Sequence, residues 1–185
     1  MKKALILHGT NSSSSGNWFP WLKQELEKRG WKVWVPDLPH PEAPNIARYN
    51  EYIFASDFVL DTETLLIGHS SGAVAILGLL GAVPEDTCIK QAILVGSFVN
   101  PLGREDLKGL FHVPFDFGSI RKRAVHFTFI HSDDDPHCPL SGAQYLAREL
   151  GGTLVVLPGQ KHFSIGTAGE SYRKFPFLLD VIEGA

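Results

Sequence analysis

Short apolar runs alternate along the chain with longer segments in which apolar residues recur every three or four positions. The short runs predict six buried strands, at residues 3–7, 33–35, 65–67, 92–95, 125–130 and 153–157. The longer segments predict helices at residues 17–29, 46–54, 141–150 and 172–182, and one that starts after Gly72. Strands that alternate with helices indicate an α/β fold, a mostly parallel sheet of about six strands with helices on both faces.

Composition narrows the class of protein. The chain has 185 residues, 44% of them hydrophobic, and a formal net charge of −3. No internal repeat or linker divides it, so we expect a single domain over residues 1–185. The slight negative charge argues against nucleic acid or an anionic membrane as the main partner. The first apolar run stops at His8, short of a signal-peptide core, and no run approaches transmembrane length.

The two cysteines carry little information about function. Cys88 and Cys138 form neither a disulfide framework nor a metal-ligand spacing. We therefore expect two free thiols in a reducing cytoplasm.

The pentapeptide Gly68-His69-Ser70-Ser71-Gly72 lies between an apolar run and a second run that is rich in small residues. Gly-x-Ser-x-Gly is the pattern of a nucleophile elbow, where a strand turns sharply into a helix with serine at the apex. Glycine is needed at both flanks because strand and helix pass closely and the serine backbone is strained. The predicted strand and helix on either side favour this interpretation over a plain Ser/Gly turn.

Candidate catalytic residues follow three of the predicted strands. Ser70 follows the third strand, the acidic run 133–135 follows the fifth, and His162 follows the sixth. Function in open α/β sheets gathers at the carboxyl ends of the strands, and serine, acid, histidine is the chain order of an α/β-hydrolase triad. Ser70 would attack a carbonyl, His162 would take its proton, and an aspartate would orient the imidazole. Backbone N–H groups of Ser71 and of Thr10 or Asn11 would hold the oxyanion.

Other residues near these strand ends have alternative interpretations. We expect His8 to shape the loop after the first strand, and His69 to be structural because strand alternation directs it away from Ser70. A metal site that combines the acidic run with His131 and His137 is an alternative that no ligand spacing supports. An acidic solvated turn would account for two of the three aspartates.

The chain resembles the small serine-hydrolase family of retinoblastoma-binding protein 9 and the bacterial YdeN-type proteins. The resemblance is carried by the elbow with Ala73, by His8-Gly9, and by Asp134-Asp135-Pro136 followed by Pro139, and it extends over nearly the whole chain. It implies a compact, three-layer α/β-hydrolase fold that lacks the first two strands of larger members. It also implies a triad of Ser70, Asp135 and His162, because the family's catalytic aspartate directly precedes the proline.

Two departures from the family pattern limit what the resemblance implies. The Leu-x-Cys-x-Glu segment that links the human member to retinoblastoma protein is absent, and residues 58–62 read Phe-Val-Leu-Asp-Thr instead. A retinoblastoma-type partner is therefore not expected. The family commonly has glycine before the triad histidine, where this chain has Lys161. The lysine could narrow the approach to Ser70 or add a positive charge beside it.

The long segment 98–123 is rich in aromatic residues and predicts one wall of an apolar acyl pocket, although the same residues could simply pack on the sheet. The residues expected to contact substrate are Asn11, Phe98, Phe111, Phe115 and Phe117. The sequence thus predicts a serine hydrolase without metal or cofactor that cleaves a small ester, thioester or amide through an acyl-enzyme. A catalytically silent scaffold with the same fold is the competing hypothesis.

Overall fold

The computed structural model describes residues 1–184. They form one six-stranded sheet, with strand order β2-β1-β3-β4-β5-β6, and the helices that pack on it. All five neighbouring pairs are parallel, as predicted. The strands are β1 (Lys3–Leu7), β2 (Lys32–Trp34), β3 (Thr64–His69), β4 (Ile89–Val95), β5 (Ala124–His131) and β6 (Thr153–Val156).

Helices connect the strands and cover both faces of the sheet. They are α1 (Phe19–Lys28), α2 (Ile46–Phe54), α3 (Ser71–Ala82), α4 (Phe117–Ile120), α5 (Leu140–Leu150), α6 (Ile165–Ala168) and α7 (Phe177–Glu183), with 3-10 helices at Glu105–Leu110, Arg121–Arg123 and Glu170–Arg173. Within residues 1–184, no helix has both the length and the hydrophobicity needed to cross a bilayer.

Two hydrophobic layers form because side chains alternate along each buried strand. In β1, Ala4 and Ile6 pack on one face with residues of α1 and α7. Leu5 and Leu7 face the other way and pack with residues of α2, α3 and α5. Both faces of the central strands are therefore apolar, and the molecule has the predicted three layers.

Two predicted helix boundaries were wrong. Asn17 is not the N-cap of α1, since that position belongs to Trp18. The Asn17 side chain instead accepts a hydrogen bond from Ile165 N–H at 3.0 Å. The predicted closing helix 172–182 is split into a 3-10 turn and α7, because Pro176 has no N–H to donate and disfavours a helical conformation at the residue before it.

The functional edge of the sheet follows from the strand order. β1 lies between β2 and β3, so the order of connections reverses there, and ligands of open α/β sheets bind outside the carboxyl ends of strands at such a point. Leu7 pairs in register with Gly68. The loop after β1 therefore lies beside the turn after β3.

Candidate active site

Ser70 occupies the sharp turn between β3 and α3. Its backbone has φ 56° and ψ −123°, a positive φ that is strained for a residue with a β-carbon. Its N–H donates a 2.8 Å hydrogen bond to the Val95 carbonyl, which ties the turn to β4. The predicted strand, turn and helix are all present around this serine.

The two glycines of the pentapeptide are required by close backbone contacts. A β-carbon on Gly72 would lie 2.3 Å from the Leu7 carbonyl oxygen, and one on Gly68 would lie 2.6 Å from the Ala73 nitrogen. Real β-carbons do not approach backbone atoms this closely. Glycine at both positions therefore lets α3 start directly against β1 and β3.

His162 and Asp135 form a buried hydrogen-bonded pair. His162 Nδ1–H donates to Asp135 Oδ2 at 2.7 Å, and only 1% of the aspartate side chain is exposed. Asp135 Oδ1 accepts two backbone N–H groups, from His137 at 2.8 Å and Cys138 at 3.0 Å. Burial raises the pKa of Asp135, but the hydrogen bond and charge of His162 and the backbone N–H groups outweigh it, so the pKa lies below its ordinary value.

Gly96, at the end of β4, makes room for this pair, a role that sequence reasoning missed. Its φ is +60°, and a β-carbon there would lie 3.0 Å from His162 Cε1. The signal in the sequence was Gly-Ser at the carboxyl end of a predicted strand. That signal could mark the position but not its contact with a histidine 66 residues further on.

The other residues of the acidic run hold the backbone that leads to His162. Asp133 Oδ1 accepts from Gly159 N–H at 2.9 Å, and Asp134 Oδ1 accepts from Lys161 N–H at 2.8 Å. These two aspartates are solvated as predicted, since Asp133 is exposed and 32% of the Asp134 side chain is accessible, but the prediction missed their contacts with the backbone of the next loop. All three acids contact the loop of residues 159–162, in which His162 lies.

Lys161 turns away from the cavity beside Ser70. Its Nζ pairs with Asp134 Oδ2 at 2.8 Å, and it is not among the residues that line that cavity. Its φ is 53°, a conformation that glycine adopts without strain. This explains why glycine suits the position, and the lysine neither narrows the cavity nor places a charge in its wall.

His69 and Trp18 hold the His162 loop through hydrogen bonds to its backbone. His69 Nε2–H donates to the His162 carbonyl at 2.8 Å, and Trp18 Nε1–H donates to the Phe163 carbonyl at 3.1 Å. Burial lowers the pKa of His69 to about 3, so the ring is neutral at neutral pH. His69 thus holds this loop, as expected of a structural residue, but it is not turned away from the site, since it lines the same cavity as Ser70.

His8 shapes the loop after β1. Its Nε2 accepts from Leu38 N–H at 3.0 Å, so Nδ1 carries the proton and donates to the Gly9 carbonyl at 2.9 Å. Burial lowers the pKa of His8 as well. Both ring nitrogens are engaged, which leaves His8 no role as a base.

Hydrogen bonding in the same loop decides which of the two candidates, Thr10 or Asn11, has a backbone N–H free to bind an oxyanion. Asn11 N–H already donates to the Pro41 carbonyl at 3.0 Å. The N–H groups of Thr10 and Ser71 have no hydrogen-bond acceptor among the described residues. Thr10 Oγ1 also donates to Ser71 Oγ at 2.9 Å, which fixes the loop against the start of α3.

A cavity of about 370 Å³ brings most of these residues together. Its lining includes Ser70, His162 and Thr10, together with Asn11 and Phe98 from the predicted substrate-contact set. Asn11 and Phe98 therefore lie where the sequence predicted. The remaining members of the set do not.

Phe111, Phe115 and Phe117 do not line this cavity. The Phe115 ring contacts those of Phe111 and Phe117, each at a centroid distance of 6.0 Å, and Phe117 packs edge-on against Tyr145 of α5 at 5.8 Å. Phe115 lines a separate cavity of about 440 Å³ beside α2 and α3. The 3-10 helix Glu105–Leu110 separates the two cavities, with Leu107 lining the first and Leu110 the second. The prediction that these three aromatics form the pocket wall is therefore corrected.

The residues that could hold a metal ion differ from those that the sequence analysis considered. Among residues 1–184, Asp135, Cys138 and His162 bring potential ligand atoms within 4.8 Å of one another, whereas His131 and His137 belong to no such group. The carboxylate and imidazole already share a proton, and burial raises the pKa of the Cys138 thiol far above neutrality. This chemistry fits a hydrogen-bonded pair better than a cation site.

Comparison with known proteins identifies the family. The serine hydrolase family profile matches residues 4–182. The chain belongs to this family. It is 29% identical over 182 residues to the hydrolase YdeN of Bacillus subtilis (strain 168), covering 98% of this chain and 94% of that protein. It is 26% identical over 166 residues to the serine hydrolase RBBP9 of Rattus norvegicus, covering 87% of each.

Solved structures agree on the fold. The crystal structure of the B. subtilis YdeN gene product superposes with a TM-score of 0.92 at 29% identity, covering 100% of this chain and 98% of that one. Est1E from Butyrivibrio proteoclasticus, at 16% identity, superposes with a TM-score of 0.70 over 99% of this chain and 90% of its own. The serine hydrolase described here has an α/β-hydrolase fold.

Proposed function

We propose that this serine hydrolase cleaves small carboxylic esters through an acyl-enzyme on Ser70, with His162 as general base and Asp135 as the carboxylate that orients it. One observation carries the proposal: the imidazole of His162, held by Asp135 at 2.7 Å, lines the same cavity as a serine held at φ 56°. Because His162 Nδ1 is protonated by its bond to Asp135, Nε2 is left as the basic nitrogen.

The proposed reaction has two halves. Ser70 Oγ attacks the ester carbonyl while its proton passes to His162 Nε2, and the tetrahedral intermediate collapses when that proton is returned to the departing alcohol. A water molecule then attacks the acyl-enzyme with the same base, which releases the acid and restores Ser70. Asp135 stays ionised throughout and stabilises the imidazolium, in keeping with its lowered pKa.

The negative oxygen of the intermediate would be held by the backbone N–H groups of Thr10 and Ser71. Both are free of other acceptors among the described residues, whereas Asn11 N–H is occupied by Pro41. Ser71 is the first residue of α3, so its N–H lies at the positive end of a helix. One such donor typically contributes about 3–4 kcal/mol to transition-state stabilisation.

The deciding experiment is labelling with a fluorophosphonate probe, followed by intact-mass spectrometry. We expect one adduct on the native protein and none on Ser70→Ala, since only an activated serine reacts with such probes. Ser171→Ala, which removes an exposed hydroxyl, is the matched control and should label normally. An unlabelled but folded native protein would reject the proposal and favour the silent scaffold.

A further inference from the structure

The cavity beside Ser70 is more polar than an acyl pocket needs to be. Its apolar side chains include Phe98, Leu102 and Leu107, but most of its wall consists of amides, hydroxyls and imidazoles. Arg104 is the only lysine or arginine among the described lining residues, and no aspartate or glutamate is among them. A pocket with this lining favours a substrate group that accepts hydrogen bonds and carries negative charge.

Arg104 has donors left for such a group. Its Nε donates to Asp106 Oδ1 at 3.1 Å and its Nη2 to Asp106 Oδ2, so the carboxylate holds one edge of the guanidinium. The two N–H groups of Nη1 have no partner among the described residues. A planar guanidinium that is fixed on one edge is oriented to bind a carboxylate with the remaining donors.

The positive charge of Arg104 acts on His137, which lies beside the proposed catalytic pair. Burial, the charge of His162 and the charge of Arg104 all lower the pKa of His137, against the opposing effect of Asp135. The His137 ring packs edge-on against His162 with centroids 5.1 Å apart. Arg104 and His137 line the same cavity as Ser70, so Arg104 lies close enough to the reaction centre to interact with another part of a small substrate.

We propose that the substrates of this enzyme carry a carboxylate in addition to the scissile ester, and that Arg104 binds it. The proposal rests on the esterase function proposed above. It replaces the expectation of a purely apolar acyl pocket.

Two pairs of esters of similar size test this idea, one with the charge on the acyl group and one with the charge on the alcohol. The first pair is the p-nitrophenyl monoester of glutaric acid and p-nitrophenyl pentanoate. The second is 4-(acetoxymethyl)benzoate and benzyl acetate. The quantity measured is the ratio of kcat/KM for the charged ester to that for the neutral one. In at least one pair, we expect Arg104→Gln to lower this ratio by about fivefold or more, since charge-assisted hydrogen bonds are lost.

Two further variants separate binding by Arg104 from a general charge effect. Lys108→Gln removes an exposed positive charge from the 3-10 helix Glu105–Leu110, which follows Arg104 directly and in which Lys108 pairs with Glu105 at 2.7 Å, and it should leave the ratio unchanged. Arg104→Lys keeps the charge but loses the planar fork, so its ratio should lie between those of the native protein and Arg104→Gln. Should Arg104→Gln fail to fold, the salt dependence of the native ratio replaces it: added NaCl should lower the ratio.

The outcomes distinguish this proposal from the function on which it rests. A native protein that hydrolyses none of the four esters and resists the fluorophosphonate probe contradicts the esterase function itself. A native protein that hydrolyses them with ratios unaffected by Arg104→Gln and by salt remains an esterase, but Arg104 does not bind a carboxylate. An equal loss in Lys108→Gln would likewise overturn the assignment, because it would reflect overall charge.

Discussion

At the scale of single residues, the proposed chemistry depends on proton transfer between Ser70 and His162. We expect Ser70→Ala and His162→Ala each to lower kcat for an activated ester by about 10⁴–10⁶-fold, because the two side chains act as one unit. The double variant should be scarcely worse than either single one, for the same reason. Steady-state hydrolysis of p-nitrophenyl acetate measures this.

The matched control for His162→Ala is His126→Ala, which removes an exposed imidazole from β5. Its kcat should equal that of the native protein. Effects of the Ser70 and His162 variants that simply multiply in the double variant would contradict the shared role.

Substitution of the two neighbouring aspartates, Asp135 and Asp134, should have very different effects on kcat. Asp135→Asn replaces the acceptor of His162 Nδ1–H, permits the wrong imidazole tautomer and should lower kcat by about 10⁴-fold. Asp134→Asn keeps an oxygen that can accept from Lys161 N–H and loses only the ion pair with Lys161, so kcat should fall by less than about tenfold. The reverse order of effects in the same ester assay would reassign the orienting carboxylate to Asp134.

At the scale of elements, the His162 loop has an acid-sensitive attachment. Hydrogen bonds from Lys161 and Ser132 lower the pKa of Asp134 from its ordinary 3.8 to about 2. Because the folded-state pKa is the lower one, Asp134 stabilises the fold at pH values above 3.8, and this contribution disappears as pH falls through 2. Asp134→Asn should therefore have a lower Tm at neutral pH, and its difference from the native protein should shrink between pH 4 and 2.

Thermal unfolding followed by circular dichroism across this pH range tests the attachment. Asp57→Asn, an exposed acid in another loop, controls for the loss of one negative charge. Since Asp134 is solvent-accessible, 0.5 M NaCl should also reduce the difference in Tm. A difference that is independent of both pH and salt would mean that the ion pair is not its source.

The junction of β3 and α3 is the element least tolerant of change. In Gly72→Ala the new β-carbon would lie 2.3 Å from the Leu7 carbonyl oxygen, and a strand backbone cannot move away without breaking the sheet. We expect a loss of about 3 kcal/mol or more in the free energy of unfolding, or no folded protein. Gly81→Ala, at the other end of α3, would meet Ile120 at an ordinary 3.7 Å and should be neutral or slightly stabilising. Equal stability of the two variants in urea unfolding would contradict this account.

At the scale of the whole molecule, a feature could be predicted from the sequence when its interacting residues lie close together along the chain. The six strands could be predicted because short apolar runs reflect burial directly, and the weak helical spacing over residues 46–54 was enough to indicate the helix Ile46–Phe54. The elbow could be predicted because its chemistry lies within five residues. The roles of Asp133 and Asp134 could not, since their partners Gly159 and Lys161 lie 26 and 27 residues away. Asn17 was misjudged for the same reason, because its partner Ile165 lies 148 positions along the chain.

The placement of the aromatic segment gives the last prediction, which concerns the separation of the cavity beside Ser70 from the cavity beside α2 and α3. Phe98 is buried and lines the cavity with Ser70, whereas half-buried Phe115 lines the cavity beside α2 and α3. Both Phe98→Ala and Phe115→Ala should lower Tm, but only Phe98→Ala enlarges the site and should shift the preference among p-nitrophenyl esters toward longer acyl chains. Phe98→Leu serves if the alanine variant fails to fold. An equal shift in Phe115→Ala would contradict this separation and would mean that Phe115 contributes to the acyl pocket.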